Sequence, residues 1–337
     1  MIDYDLTTVW ALIIAFAVFM YVVMDGFDLG IGMLFPWFPA KDDRDVMMNT
    51  VAPVWDGNET WLVLGGAGLL AAFPMAYAVV LSGLYLPLVL MLTGLIFRGV
   101  AFEFRFKAEA GKRRVWDWSF SLGSFAASFF QGVTLGAFID GLAIRDGRFV
   151  GGSFDWFAPF PLFCGAGLVV AYMLLGSTWL VMKTTGELQA EMRSRTRHWV
   201  WALLAVIVII SLWTPYVHPA VAQRWFIWPN LLWFAPVPVL VGLCTLQLLR
   251  VLRREDSEVA PFLLTLALVF LSYSGLGISL WPNVLPPDIT IWDAAGPPQS
   301  LGFALVGALL IIPIILMYTA FSYWVFRGKV RAQDGYH

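Results

Sequence analysis

Histidine and cysteine are nearly absent from this 337-residue sequence, with three of the first and two of the second. Cys164 and Cys244 lie in separate apolar runs, so they make neither a CxxC metal element nor a disulfide framework and read as packing residues. His198 and His218 fall at the ends of apolar segments and His337 is the last residue, which leaves no histidine inside a segment. A haem needs an axial His, Met or Cys facing it. The twelve methionines read as gap-fillers in so apolar a chain. A GxxxxGK[ST] phosphate loop, a GxGxxG element and a zinc-type cluster are missing as well. By its residues the chain lacks the means for redox or nucleotide chemistry of its own, and no metal site is expected. Charge is scarce too: 13% of residues are charged and 60% hydrophobic, with a mean hydropathy of +0.76. Soluble domains carry about 25% charged residues, so that class is excluded. The net charge of −2, with no basic stripe, gives no sign of nucleic-acid binding.

What the chain has instead is length of apolar sequence. A membrane-spanning helix needs about 20 mostly apolar residues. Nine such candidates lie near 8–37, 51–74, 77–104, 117–139, 160–182, 199–214, 229–249, 260–281 and 300–326. The sixth is short and ends at Pro215. The expectation is an all-α polytopic membrane protein of about nine helices, forming a single transmembrane domain over residues 1–337. The start, Met-Ile-Asp-Tyr-Asp, is acidic and makes a poor signal peptide, so the first segment is expected to stay. Placing the N-terminus outside puts seventeen Lys and Arg in the inner connections and three in the outer ones. That asymmetry predicts a periplasmic N-terminus and a cytoplasmic C-terminus. Trp37, Trp116, Trp118, Trp225, Trp228 and Trp324 fall near segment ends, where aromatic belts form whatever the function.

Against this background, acids inside the segments stand out. Asp25 and Asp28 lie in the first, and Asp56, Asn58 and Glu59 in the second. The third carries Arg98 and ends with Glu103 and Lys107. Ionisable groups at membrane depth cost about 2.5–3.5 kcal/mol each on the insertion scale, so they persist where they are paired or line a water path. The expected topology brings all three sets to one level near the inner face. Asp25 and Asp28 share a helix face, as do Glu103 and Lys107. Gly26 and Gly30 form a GxxxG pair that lets another backbone approach. Paired charges acting as glue between helices are the plain reading, with Asp28 or Asp56 as the expected partner of Arg98. The acids outnumber Arg98, however, and surplus carboxylates suit groups that take up and release protons. Trp55 adjoins Asp56 and either packs there or stacks on a quinone head.

The runs Asp25-Gly-Phe-Asp-Leu-Gly-Ile-Gly-Met33, Asn49-Thr-Val-Ala-Pro-Val-Trp-Asp-Gly-Asn58, Trp61-Leu, Phe97-Arg98 and Phe102-Glu-Phe-Arg-Phe-Lys107 resemble subunit II of the cytochrome bd-type quinol oxidases. Thr185-Gly-Glu-Leu188 and Thr290-Ile-Trp-Asp293 extend the likeness along the chain. Asn58-Glu-Thr-Trp61 and Phe97-Arg98-Gly99 look more like the cyanide-insensitive branch.

The resemblance implies a nine-helix subunit in the bacterial inner membrane, paired with a larger, haem-bearing subunit I that oxidises quinol. It implies reduction of dioxygen to water with protons drawn from the cytoplasm, no haem bound by this chain alone, and ubiquinone as a candidate quinone. Small accessory membrane subunits and lipid are compatible partners. Positions matching Asp56, Glu103 and Lys107 are implied to form a proton path, and Trp55 a quinone contact. Arg98 is implied at the subunit contact or dioxygen route. Glu103 stands where better-known relatives carry Asp, and Glu59 where they carry Gln. Two other readings remain open on the residues alone: a secondary transporter, which an inverted repeat would support though none is found, and a structural membrane scaffold.

Overall fold

A computed structural model describes residues 5–109 and 111–331, so most of the acidic start and His337 lie outside the described residues. Helix α1 (Leu6–Leu34) continues through a 3-10 turn to Trp37 and is followed by the short α2 (Lys41–Asn49). Helix α3 (Trp55–Ala72) runs back along α1, and α4 (Pro74–Gly83) joins it to α5 (Tyr85–Arg105). Between α6 (Arg113–Asp140) and α7 (Pro159–Lys183) lies a hairpin of β1 (Ile144–Arg145) and β2 (Arg148–Phe149). The chain continues through α8 (Gly186–Val217), α9 (Pro219–Phe226), α10 (Asn230–Phe234), α11 (Pro236–Val251) and α12 (Ala260–Leu280). A second hairpin of β3 (Asn283–Leu285) and β4 (Ile289–Thr290) precedes α13 (Pro298–Val325).

Among the described residues, eight helical stretches are long and apolar enough to cross a bilayer: α1, α5, α6, α7, α8, α10 with α11, α12 and α13. Helix α3 has 18 residues, about 27 Å at 1.5 Å per residue, but its first two turns carry Asp56, Asn58 and Glu59. The third expected segment divides into two helices at Leu84. Gly83 packs its bare Cα face against the Phe149 ring, and Pro87 sits in the first turn of α5, where a missing N–H is harmless. The seventh divides at Ala235 because Pro236 begins a new helix. The sixth is much longer than expected. A hydropathy window sees only its apolar part, whereas Glu187, Leu188, Gln189, Ala190, Glu191 and Met192 are good helix formers that carry α8 back to Gly186.

The two ends of the bundle differ. At one end Arg105 pairs with Asp45 and Asp117, Lys183 donates to the carbonyls of Phe326 and Gly328, and Arg193 donates to those of Arg254 and Ser257. Arg195 lies over the Phe38 ring and joins the two halves of this basic end. The opposite end carries both hairpins. There the Trp10 indole donates to the Leu301 carbonyl and the Trp292 indole to Asp5.

Every residue from Asp25 to Phe35 is buried. Glycine makes this possible: a Cβ at Gly30 would lie 1.9 Å from the Tyr172 carbonyl oxygen, so α7 rests directly on the α1 backbone. On α6, a Cβ at Gly123 would meet the Gly94 carbonyl at 2.7 Å and the Arg98 amide at 2.8 Å. Gly32 likewise rests on Ser124 of α6, so α6 and α7 together seat α1 and α5 around the acids and the arginine.

Candidate functional site

Arg98 is fully buried in α5, and three carboxylates surround it. Its Nη2 donates to Asp25 Oδ1 at 2.6 Å and reaches Asp28 Oδ2 at 3.4 Å, while Nη1 donates to Glu59. Both aspartates have no solvent exposure, and Glu59 retains 27%. A guanidinium suits this place because it presents several donors in fixed directions and stays charged when buried. The i, i+3 spacing of Asp25 and Asp28 on α1 lets both reach the same fork. Trp55 and Phe102 stack with centroids 4.9 Å apart, and Arg98 lies 5.5 and 5.3 Å from the two ring centroids. One face of Trp55 is therefore already occupied by protein.

Asn58 links this cluster outward. Its amide donates to Asp28 Oδ2 at 2.8 Å and to the Met24 carbonyl at 3.1 Å, and its oxygen accepts from the Tyr323 hydroxyl at 2.9 Å. Beyond Asn58 lies a cavity of about 420 Å³ whose wall includes Trp55, Asp56, Asn58, Glu103, Tyr318 and Tyr323. Asp56 and Glu103, from two helices, thus share one polar space. Glu103 is 57% exposed, and Lys107, at 3.5 Å from it, is 78% exposed. Asp56 does not pair with Arg98. The buried stripe of α3 runs through Asn58, Trp61, Gly65, Gly68 and Ala72, and Asp56 falls off that stripe onto the exposed side.

Two groups of residues escaped the sequence reading. Tyr318, Thr319, Ser322 and Tyr323 form the α13 wall of the cavity. Their i, i+1, i+4, i+5 spacing was a usable signal, because it places four hydroxyls on one helix face of an apolar run. The other group is Arg105 with Asp45 and Asp117. By sequence Arg105 is one of the seventeen cations of the inner connections, yet it is fully buried between its two carboxylates.

The arrangement defines a multi-pass membrane subunit with a charge cluster sealed between its first helices and an open polar cavity beside it. The model of the cytochrome bd terminal oxidase subunit II family matches residues 6–326, and the chain belongs to that family. It is therefore a subunit of a bd-type quinol oxidase, a complex that contains haem and joins this chain to a subunit I. The chain is similar to cytochrome bd-I ubiquinol oxidase subunit 2 of Escherichia coli K12, at 32% identity over 99% of this chain and 98% of that one. Cytochrome bd ubiquinol oxidase subunit 2 of Bacillus subtilis is 29% identical over 98% of each chain. In fold it matches a chain of the bd oxidase from Geobacillus thermodenitrificans with a TM-score of 0.75, at 18% identity and covering 94% and 98% of the two chains. Family membership sets the transporter and scaffold readings aside.

Proposed function

We propose that this chain is the haem-free subunit of its oxidase and supplies a proton path from the cytoplasm through Lys107, Glu103 and Asp56 toward subunit I. The observation that carries the reading is the 420 Å³ cavity, in which Asp56 and Glu103 face one space beside Asn58. Water in such a space, lined by carboxylates and hydroxyls, can relay protons between groups too far apart to touch. Asp56 lies on the exposed side of α3 together with Val63 and Leu70, so a subunit seated on that side would receive the proton directly.

The orientation follows the charges. The basic end is assigned to the cytoplasm and the hairpin end to the periplasm of a bacterial inner membrane. With α3 as the ninth span, both termini take the sides expected for an odd number of crossings. Arg98, Asp25, Asp28 and Glu59 form the rigid wall of the path, held by mutual pairing.

Among the described residues no two histidines can clasp one haem. His198 and His218 are twenty residues apart on α8 and at its end, about 30 Å along a helix, and His198 is exposed. Trp55 is assigned first as a cover over Arg98. A quinone contact there would use the part of its ring that lines the cavity. Quinol, lipid and small accessory membrane subunits complete the assembly in this reading.

The test uses the assembled complex with normal haem content. Asp56→Asn keeps the shape of the side chain and removes its proton exchange, so quinol-driven oxygen consumption and proton uptake from the cytoplasmic side should both fall sharply. Unchanged haem-normalised turnover and uptake would reduce Asp56 to a structural residue.

A further inference from the structure

A second cavity lies at the basic end, away from Arg98, between the 3-10 turn after α1, the start of α2 and the start of α6. Its volume is about 710 Å³, and its wall carries Lys41, Arg44, Arg105, Arg113 and Arg114 against a single acid, Asp117. The acids within reach are already engaged. Asp117 accepts from Arg44 Nη1 at 2.8 Å and from Arg105 Nε at 2.5 Å. Asp45, beside the cavity, pairs with Arg105 at 2.6 Å, Lys41 at 3.4 Å and Arg113 at 3.8 Å. Arg114 makes no ion pair among the described residues. Two carboxylates therefore face five cations.

The buried arginine supplies an independent sign. Arg105 has no solvent exposure, and its Nη2 has no hydrogen-bond partner among the described residues. A buried charged donor without an acceptor is unfavourable, so a site that leaves one on its wall is suited to a ligand that brings acceptor oxygens.

The surroundings indicate which ligand. From the cavity, α6 presents Val115, Trp118, Leu122 and Phe125, exposed by 64, 48, 57 and 47%. Their spacing of three, four and three residues makes one apolar stripe along a helix long and apolar enough to cross a bilayer. Trp118 belongs both to the stripe and to the cavity wall. A free phosphate ion would meet the cations and leave the stripe unused, whereas a phospholipid would use both.

We propose that this cavity binds the headgroup phosphate of an anionic phospholipid, with its acyl chains lying along the Val115–Phe125 stripe of α6. Lys41, Arg113 and Arg114 hold the phosphate oxygens, and Arg105 stands behind them as a fixed donor. Basic pockets between membrane helices bind anionic headgroups through this combination of charge and apolar wall.

The test titrates the purified, haem-loaded oxidase complex with dioleoylphosphatidylglycerol or dioleoylphosphatidylcholine and counts retained lipids by native mass spectrometry. Lys41→Gln/Arg114→Gln removes two cations that contribute little to folding, since Lys41 is 62% exposed on its side chain and Arg114 is exposed and makes no ion pair among the described residues. Wild-type complex should retain one phosphatidylglycerol in preference to phosphatidylcholine, and the variant should lose that preference by about fivefold for each cation removed. If the double variant assembles poorly, Arg114→Gln alone is the measurement, because its side chain has no ion-pair partner to lose among the described residues. Equal retention of the two lipids by wild type, or unchanged phosphatidylglycerol retention in the variants, overturns the proposal. So does displacement of the lipid by equimolar inorganic phosphate or glycerol 3-phosphate, which would make the pocket a free-anion site.

Discussion

Arg98 Nη2 and Asp25 Oδ1 meet at 2.6 Å, and neither side chain has any contact with solvent. The pair joins α5 to α1 at the place where α1 is wholly buried. Asp28 and Glu59 complete the ring around the same guanidinium. Removing the one cation strands three carboxylates, and breaking a buried pair in this way costs about 3–5 kcal/mol. Arg98→Ala should therefore lower the thermal midpoint and the yield of assembled complex. Arg98→Lys should recover part of the loss at most, because a single ammonium cannot repeat the fork. Wild-type assembly and stability in Arg98→Ala would show that the pairing is energetically idle.

The same cluster depends on a backbone contact. Gly30→Ala would put a methyl group 1.9 Å from the Tyr172 carbonyl oxygen, so α1 and α7 must separate. Overpacking of this kind costs about 1–3 kcal/mol, and the shift would also disturb Asp28 two residues away. Gly66→Ala is the matched control, since a Cβ there meets nothing within 4 Å. Differential scanning of the purified complex should show a clear fall for Gly30→Ala and no fall for Gly66→Ala. Equal midpoints for the two variants would contradict the close-packing account.

The haem assignment has its own test. Expressed without subunit I, the chain should show no haem band in a reduced-minus-oxidised spectrum, because its two described histidines, His198 within α8 and His218 at its C-terminal cap, lie about 30 Å apart along one helix. A stoichiometric band retained through purification would place a ligand set in this chain that the geometry does not supply.

The sequence carried the buried cluster because few forces other than pairing or function keep Asp25, Asp28 and Arg98 in apolar runs. It did not carry the choice of partner. Which of Asp56 and Glu59 reaches Arg98 is decided by the rotation of α3, and that rotation is set by Asn58, Trp61, Gly65 and Gly68 packing inward. Glu59, three residues on from Asp56, takes the guanidinium. Segment positions were legible from apolar length, but the break at Leu84 depended on Gly83 meeting Phe149, a residue sixty-six positions on. The Arg105 pairs were hidden for a similar reason. Asp45 lies on the short α2 and Asp117 in the first turns of α6, and only the packing of α2 against the start of α6 brings both to one arginine.

Within the proposed proton path, exposure predicts an order of effects. Lys107 is 78% exposed and Glu103 57%, so water can bypass either at the mouth of the cavity. Lys107→Ala should leave turnover close to wild type, and Glu103→Gln should lower it modestly. Asp56 occupies the side of α3 from which the proton leaves this chain in the proposed path, and among the described residues Glu103 is the other carboxylate lining that cavity. Asp56→Asn should therefore be the most damaging single change, and the Asp56→Asn/Glu103→Gln pair should be worse than either alone. The measurement is haem-normalised oxygen consumption as a function of pH in membranes of each variant. A path limited by proton delivery should lose more rate as the pH rises and protons become scarcer, so the deficit of Asp56→Asn should widen on the alkaline side. A deficit that is constant across pH, with haem content normal, would point to altered contact with subunit I. A larger loss in Lys107→Ala than in Asp56→Asn would reverse the proposed order and move the controlling step to the surface.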